Sequence, residues 1–329
     1  MNEERPRIVC TAAEISRRRF CTDAGATAGA LAIMGSLAGL VAMPRAEAAL
    51  KSRRYYAYYV ALELDGKYAG LVETAEGGEP LIDVSISAGT TGVTREIQPP
   101  RFLPLTLRLA DMSPAVYDWI RASVAGVAPL RSLSVVTASQ DLKESYRLLM
   151  KNARITAVLL DDLDATSAAP ARFTLTLHAS KSAHEFGGKP GFQPLSFKAS
   201  PLLRSSFLLY IQGLEALAPR IASVGAVQIE VSPQNAAVVV PRSLRFQIPL
   251  PYSEPLFQWM NQSLATPIPR EGELRLLSRD RTRVVASFRF AQLLVVRLSA
   301  PAQAQNDQQM VEVECVPQGV SFSAGELLT

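Results

Sequence analysis

Residues 113–120 read SPAVYDWI, and residues 253–260 read SEPLFQWM. These octapeptides contain Trp119 and Trp259, the only two tryptophans in the chain. In each one the apolar side chains recur at positions i, i+3 and i+4, which is the spacing of one buried helix face. The serine that opens each octapeptide suits the N-cap position, and a proline stands in or near the first turn. We therefore predict two short helices, each of which fixes its tryptophan as a core anchor against a sheet.

The elements around the octapeptides also repeat, in the same order and at a nearly constant offset. A strand of alternating apolar residues precedes each one, LTLRL at 105–109 and LRFQI at 244–248. A strand that ends in Ser-x-Asp follows, at 131–141 and 272–280, and both halves continue with more β material. The Lys-Asn-Ala stretch at 151–153, by contrast, has no clear counterpart in the second half. The common order predicts a tandem duplication of one β-rich unit.

Each copy opens with a run of β character. In the first, alternating apolar residues lead into Asp65-Gly66 and a second apolar run, which is typical of a β-hairpin. In the second, FLLYI is followed by Gly213 and a returning run. A stretch rich in Gly, Pro, Ser and Lys separates the copies and is typical of a linker. The predicted organisation is a signal peptide at 1–48, a first domain at 49–181, a linker at 182–203 and a second domain at 204–329.

The N-terminal segment resembles a twin-arginine export signal. Its core matches S-R-R-x-F, a weakly apolar Ala- and Gly-rich run follows, and an A-x-A cleavage site comes next. The residues concerned are Ser16, Arg17, Arg18 and Phe20 for recognition, and Ala46 and Ala48 for cleavage. The apolar run is long enough for a membrane anchor, but its small residues and the cleavage site favour removal. The resemblance implies the twin-arginine translocase as a partner, folding before export, and a periplasmic or secreted location.

Cleavage after Ala48 changes the thiol chemistry of the chain. It removes Cys10 and Cys21 and leaves Cys315, so we expect no internal disulfide even in an oxidising compartment. Stability then has to come from packing. The sequence after the signal has no further segment long and apolar enough to span a bilayer, so we expect no stable membrane anchor after cleavage.

The composition limits the class of partner. Hydrophobic residues make up 48% of the chain and charged residues 19%, which suits one or two ordinary cores and not a disordered chain. The net charge of +4 is spread along the sequence, whereas nucleic-acid binders usually concentrate it in a run or on one face. We therefore expect no nucleic-acid partner.

The sequence offers few groups for catalysis. Its two histidines, His178 and His184, lie at the end of the closing strand or in the linker, where a solvated role is the usual one. The sequence contains neither metal-binding Cys/His spacings nor a phosphate-binding glycine loop. The acidic cluster Asp161, Asp162 and Asp164 suits either a hard cation or, more commonly, a solvated turn. We predict no enzyme activity, no catalytic residue, no cofactor and no metal.

Taken in order, these elements resemble the tail tube protein of contractile phage tails and related injection systems. The shared pattern is a hairpin with a D-G or Q-G turn, a long β-loop, a strand, the YDWI or FQWM helix, the Ser-x-Asp strand and two further strands. The first copy carries most of the similarity, between 105 and 153. The resemblance implies a mostly β fold, a barrel or sandwich with one short flanking helix per domain. It also implies that six such domains close into a ring and that rings stack into a tube.

Two copies per chain then imply a homo-oligomer, either a trimer that forms a pseudo-sixfold ring or stacked trimers. The strands of each copy expose edges, and pairing with a neighbour removes such edges. The resemblance also implies that the loops at 77–101 and 225–243 contact the adjacent ring. The residues assigned to these stacking contacts are Ser87, Thr90, Thr91, Val93, Asn235, Val238 and Val239.

The export signal departs from this family, whose tube proteins typically assemble in the cytoplasm. Two alternatives therefore stay open. One is a periplasmic module that uses the same two loops to bind a protein or a glycan. The other is a periplasmic cofactor enzyme that folds before export, as the twin-arginine route allows.

Overall fold

The computed structural model describes residues 59–89, 92–139, 143–187, 201–232, 235, 237–299 and 309–325. Within them the fold is mostly β with barrel-like sheets, as the sequence predicted. The first half contributes β1 Tyr59–Leu64, β2 Lys67–Gly77, β3 Pro80–Leu81, β4 Val84–Gly89, β5 Gly92–Ile97, β6 Arg101–Phe102, β7 Leu105–Leu109, α1 Pro114–Val124, β8 Arg131–Ala138, β9 Glu144–Leu160, β10 Leu163–Asp164, β11 Phe173–His178 and β12 Lys181–Phe186. The second half contributes β13 Phe207–Ile211, β14 Ser223–Val224, β15 Val227–Val231, β16 Val239–Pro241, β17 Leu244–Pro249, α2 Glu254–Ala265, β18 Arg270–Leu277, β19 Val284–Ser299, β20 Met310–Val316 and β21 Gly319–Ala324.

The described residues belong to two compact units. The β4–β5 hairpin lies in one of them, within Ile82–Pro100, and is described by itself below. The other strands and both helices belong to the second unit. Trp119 and Trp259 lie in one continuous hydrophobic core of this second unit, so the two halves of the chain share their core.

The first half forms a closed barrel. Its strands pair in the order β1, β2, β7, β11, β9 and β8, and β8 pairs again with β1. All of these pairings are antiparallel, so successive side chains alternate between the two faces of the sheet. In β7, for example, Leu105, Leu107 and Leu109 are buried and the residues between them are partly exposed. The inward side chains therefore fill the barrel.

The second half repeats this arrangement with one gap. Strands β13, β18, β19, β20, β17 and β14 pair in the corresponding order, but among the described residues β14 and β13 do not pair with each other. The run predicted to return after Gly213 first forms a 3₁₀ helix at Glu215–Arg220, and only Ser223–Val224 form a strand, which pairs with β17 and not with β13. Pro219 lies inside the 3₁₀ helix and has no N–H to donate to a strand ladder. The second barrel is open where the first one is closed.

The β1–β2 hairpin was predicted correctly from its turn. Asp65 and Gly66 have φ values of +51° and +78°, as a two-residue type I′ turn requires. The Asp65 carboxylate also accepts the backbone N–H of Ser132 at 3.1 Å and pairs with Arg131 at 2.8 Å. The turn is therefore tied to the start of the neighbouring strand β8.

Both predicted helices are present, and each begins directly after its serine. Trp119 and Trp259 are fully buried, and their indole N–H groups donate to the carbonyl oxygens of Pro129 and Ile268 at 3.0 and 2.8 Å. Each tryptophan thus anchors the loop that leads from its helix to the next strand. The serines occupy the N-cap positions, as predicted, although neither side chain accepts a helical N–H.

The two halves are joined by strand pairing and not by a linker alone. Strand β10 of the first half pairs with β14 of the second, and β15 of the second half pairs with β9 of the first. Residues 181–186, which the sequence assigned mostly to the linker, form β12. This strand continues the register of β11 along β9, so backbone pairing outweighed its polar composition. Residues 188–200 lie outside the described residues.

Candidate assembly surfaces

The long strand β9 is covered on both of its edges. Along one edge β11 and then β12 follow, and beyond a register shift between Thr176 and Leu177 they share one register, with His178 opposite Arg154 and Lys181 opposite Lys151. Along the other edge β8 covers the first part of the strand, and β15 pairs with Ala157–Leu160 beyond it. Because β15 belongs to the second half, one half of the chain completes the sheet of the other.

The corresponding strand β19 is covered along one edge and only in part along the other. Strands β20 and β21 follow along the first edge as β11 and β12 do along β9, with one register shift between Val295 and Arg297. On the other edge β18 reaches Leu293, and no described strand pairs with Leu294–Ser299 beyond it. The side chain of Val296 in this segment is 48% exposed. The segment is an open strand edge among the described residues.

A shared backbone irregularity fixes which residues of β9 and β19 correspond. Asn152 and Gln292 both have a φ of +52°, a left-handed conformation that side chains rarely adopt in a strand. The offset between them equals the offset between the two tryptophans. The sequence comparison missed this counterpart of the Lys-Asn-Ala stretch, because Asn favours the left-handed region and Gln gives no such signal.

The two helices differ in the exposure of one apolar stripe. In α1 the stripe consists of Tyr117, Ile120 and Val124, which are 5%, 0% and 3% exposed. The same positions of α2 are Phe257, which is 36% exposed, a half-buried Met260, and Leu264, which is 73% exposed. All six side chains are apolar or aromatic, so the stripe is kept in both helices while its cover is present in only one.

The cover of the α1 stripe comes from the second half. Helix α1 packs against β21, and the ring of Tyr117 stacks on that of Phe322 with a centroid distance of 6.2 Å and an angle of 7°. Phe173 meets Tyr117 edge to face, also at 6.2 Å. Burial raises the pKa of the Tyr117 phenol well above its usual range. Helix α2 packs on β19 and on the 3₁₀ turn that precedes it.

An ion-pair network holds the junction between the halves. The carboxylate of Asp161 is 7% exposed and accepts two hydrogen bonds from Arg108, at 3.0 and 2.6 Å. It also accepts the Arg172 backbone N–H at 3.2 Å and lies 3.6 Å from Arg204 at the start of the second half. A hydrogen bond from the same Arg108 lowers the pKa of Glu73.

The acidic cluster is therefore accounted for by protein groups. Asp162 pairs with Arg204 at 3.1 Å, and Asp164 accepts hydrogen bonds from the hydroxyl and backbone N–H of Thr166 at 2.7 and 2.8 Å. In the described ranges, no group of three or more metal-ligating side chains has the arrangement of a metal site. Asp161 is a buried ion-pair partner and not part of a solvated turn.

The β4–β5 hairpin carries one apolar face. Val84, Ile86 and Ile97 are exposed, and Val84 lies opposite Ile97 in the hairpin register. On the other face, the Ser85 hydroxyl donates to the Glu96 carbonyl at 3.3 Å. Of the predicted stacking residues, Ser87 and Val93 lie in these two strands, and Thr90 and Thr91 lie outside the described residues.

The other predicted stacking residues lie at the β15–β16 hairpin. The Asn235 side chain accepts the backbone N–H of Ala237 at 3.1 Å, and this hydrogen bond shapes the turn. Val238 is exposed, and Val239 pairs with Val231 inside the hairpin. The role of both hairpins in stacking stays a prediction.

The remaining reactive groups show no convergent site among the described residues. His178 ends β11, and the Nδ1 atom of His184 lies 2.6 Å from the Tyr146 hydroxyl on the neighbouring strand. Burial raises the pKa of the Cys315 thiol to about 12. None of the helices in the described part of the chain combines the length and apolar character needed to cross a membrane. The signal residues Ser16, Arg17, Arg18, Phe20, Ala46 and Ala48 lie outside the described residues.

Comparison with known proteins gives structural likenesses only. No family model and no curated protein sequence matches the chain. The chain is similar to the anti-feeding prophage tube-terminating cap, with 18% identity and a TM-score of 0.35 over 46% of this chain and 97% of that one. It is also similar to a chain of the sheath–tube complex of the extracellular contractile injection system PVC, with 16% identity and a TM-score of 0.35 over 42% and 97%. A chain of the anti-feeding prophage baseplate is similar as well, with 13% identity and a TM-score of 0.34 over 40% of this chain and 93% of that one.

Proposed function

We propose that this protein is an exported structural subunit whose chains associate head to tail into rings of three. The observation that carries this proposal is the difference between β9 and β19. The edge of β9 beyond β8 pairs with β15 from the second half, while the equivalent edge of β19 beyond β18 pairs with no described strand. An open edge of this kind is protected or used for pairing in most proteins.

The first half contains the segment that corresponds to β15. Pro241 in β16 stands three residues before β17, and Phe102 in β6 stands three residues before β7, and each of these strands leads to a helix. Pro241 lies opposite Ile229, and Phe102 lies opposite Pro80. The next residues repeat the same bond: the Arg242 N–H donates to Gln228 at 2.9 Å, and the Leu103 N–H donates to Glu79 at 3.0 Å. Pro80 therefore corresponds to Ile229.

These correspondences define a head-to-tail contact. In the chain, Ile229 lies opposite Val158 of β9, and the residue of β19 that matches Val158 is Leu298. The residues around Pro80 of one chain would then pair with the edge around Leu298 of the next chain. Pro80 has no N–H, so this pairing would have one hydrogen bond fewer than its counterpart within the chain. A contact between two different surfaces forms a ring if its rotation closes.

The number of chains follows from the duplication. The tail tube family that the sequence resembles builds rings of six domains, and each chain here supplies two. Three chains would therefore complete one pseudo-sixfold ring. Rings would stack through the β4–β5 and β15–β16 hairpins, whose exposed apolar residues suit contact with another protein surface.

Export through the twin-arginine pathway is the second part of the proposal and rests on the N-terminal sequence. Replacing Arg17 and Arg18 by Lys should leave the precursor inside the cell, whereas the unchanged chain should appear, shortened, outside the inner membrane. The same distribution for both proteins in cell fractions would remove this part of the proposal and leave the assembly part intact.

Engineered disulfides test the ring. In full-length chains with Cys10 and Cys21 changed to Ser, Pro80→Cys and Leu298→Cys should together give covalent dimers and a closed trimer under oxidation. Each single variant should stay a single chain. Paired strand residues lie about 5.5 Å apart at Cα, which a disulfide spans.

A matched pair controls for strand geometry. Val158→Cys with Ile229→Cys should close within one chain, since these residues already lie opposite each other. Closure of this control with no linkage in the Pro80/Leu298 chain would contradict head-to-tail pairing. It would favour the second candidate, a monomeric binding module, for which the exposed apolar face of the β4–β5 hairpin is the supporting observation.

A further inference from the structure

We infer that the exposed stripe of α2 (Phe257, Met260 and Leu264) packs on the face of β12 that carries His184 and Phe186 in the next chain. This inference rests on the proposed head-to-tail order and adds a side-chain contact to the backbone pairing. Within the chain, the matching stripe of α1 packs on β21, with Tyr117 stacked on Phe322. Strand β12 is the counterpart of β21 in the first half.

The register identifies the residues of β12 that would meet α2. His184 lies opposite Leu148 of β9, as Phe322 lies opposite Phe288 of β19. Leu148 and Phe288 are separated by the same offset as the two tryptophans. His184 therefore occupies the position of Phe322, and Phe186 the position of Ala324.

The face of β12 has the chemistry to receive an apolar stripe. Phe186 is 79% exposed, and its ring centroid lies 5.3 Å from that of Tyr146. The Tyr146 hydroxyl is hydrogen-bonded to His184, so the partly buried Tyr146 ring lies on the same face as the exposed Phe186 ring. Aromatic surfaces of this kind are enriched at protein interfaces. The side chain of Phe257 would take the place that Tyr117 has against Phe322.

A second copy of this chain is the occupant that the structure favours. The in-chain contact already joins a helix stripe of one half to the last strand of the other, and the two counterpart elements, α2 and β12, carry exposed apolar side chains. Helix α2 also packs on β19, the strand that carries the open edge that the proposed function uses. One neighbouring chain would cover both.

The contact can be mapped directly. A benzophenone amino acid in place of Phe257 in the full-length chain should crosslink on illumination to residues 181–186 of a second chain, identified by mass spectrometry. The same probe in place of Val127, which is 69% exposed and lies outside both surfaces, should give no such product. Crosslinks from position 257 to any other surface would overturn the inference.

Charge substitution measures the energetic weight of the contact. Leu264→Glu and Phe186→Glu should each weaken association by about tenfold or more, as burial of a central apolar side chain predicts. Val127→Glu should leave it unchanged. Equal association constants for all four proteins in sedimentation analysis would contradict the inference.

The two ideas fail in different ways. If the Pro80/Leu298 disulfide trimer forms but Leu264→Glu and Phe186→Glu bind like Val127→Glu, the helix contact is wrong and the ring stands. If no disulfide trimer forms and the chains do not associate, the proposed function itself is wrong.

Discussion

The stripes of α1 and α2 are alike in sequence and opposite in environment. Tyr117 is buried beneath Phe322, whereas its counterpart Phe257 has no such ring above it among the described residues. The C-terminal parts of β9 and β19 differ in the same way, since only β9 has β15 beside it. In the first half, the apolar helix stripe and the strand edge are both covered by elements of the second half. The equivalent stripe and edge of the second half are uncovered among the described residues.

The largest effect should come from removing the tryptophans. Trp119→Ala and Trp259→Ala should each lower the free energy of unfolding by about 3–5 kcal/mol, because both side chains are fully buried and hold the following loop. Denaturant titration of each purified variant measures the change. If both helices are the same structural unit, the two losses of unfolding free energy should agree within about 1 kcal/mol. A near-neutral Trp259→Ala would show that the two tryptophans do not play the same structural role.

The next largest effect should come from the junction. Asp161→Ala leaves Arg108 without its buried partner and should cost about 2–4 kcal/mol of unfolding free energy. The matched control is Asp118→Ala, whose partner Arg121 is exposed, and it should cost less than about 0.5 kcal/mol. Equal effects of the two substitutions on the denaturation midpoint would argue against a structural role for the junction network.

The stripes themselves give a sharper, smaller difference. In dilute, unassociated protein, Tyr117→Ala should cost about 3 kcal/mol, while Phe257→Ala should cost less than about 1 kcal/mol, because only Tyr117 is covered. At concentrations where chains associate, Phe257→Ala should also lower the apparent stability, because the unchanged protein then gains stability from an assembly that the variant forms less well. Thermal unfolding at two protein concentrations separates these outcomes. If Phe257→Ala changes the unfolding temperature equally at both concentrations, the proposed contact is wrong.

The smallest effect concerns Cys315, at the strand beside the covered edge of β19. Burial raises the pKa of this thiol from 9.0 to about 12, so the folded protein holds the proton more tightly than the unfolded chain. The resulting stability is complete below about pH 9 and is lost as the pH rises towards 12. At pH 8, Ellman's reagent should find no reactive Cys315 in the native protein and one after denaturation. Rapid reaction of native protein from which the signal has been removed would contradict this burial.

Local signals in the sequence predicted much of the fold. Asp65-Gly66 predicted its turn, because a type I′ turn needs positive φ at both positions. The i, i+3, i+4 spacing around each tryptophan predicted both helices. These features depend on neighbours in sequence, so a short window contains the information.

The misses depend on partners that are distant in sequence. Strand β12 looked like linker because its residues are polar, yet β9 provides a complete backbone partner for it. The 3₁₀ helix at Glu215–Arg220 takes up most of the expected returning run, and the short strand β14 that follows pairs with β17 and not with β13. The pairing of β15 with β9, which defines the candidate assembly surfaces, joins residues more than sixty positions apart and leaves no local pattern.

The native mass of the purified chain at rising concentration is the most direct test of the central claim, that the edge at β19 and the stripe of α2 are closed by the next copy of the chain. We expect a mass of three chains, or a multiple of three, with dissociation when Leu264 is changed to Glu. A folded protein that remains a single chain at the highest concentrations and over a wide range of salt would contradict it.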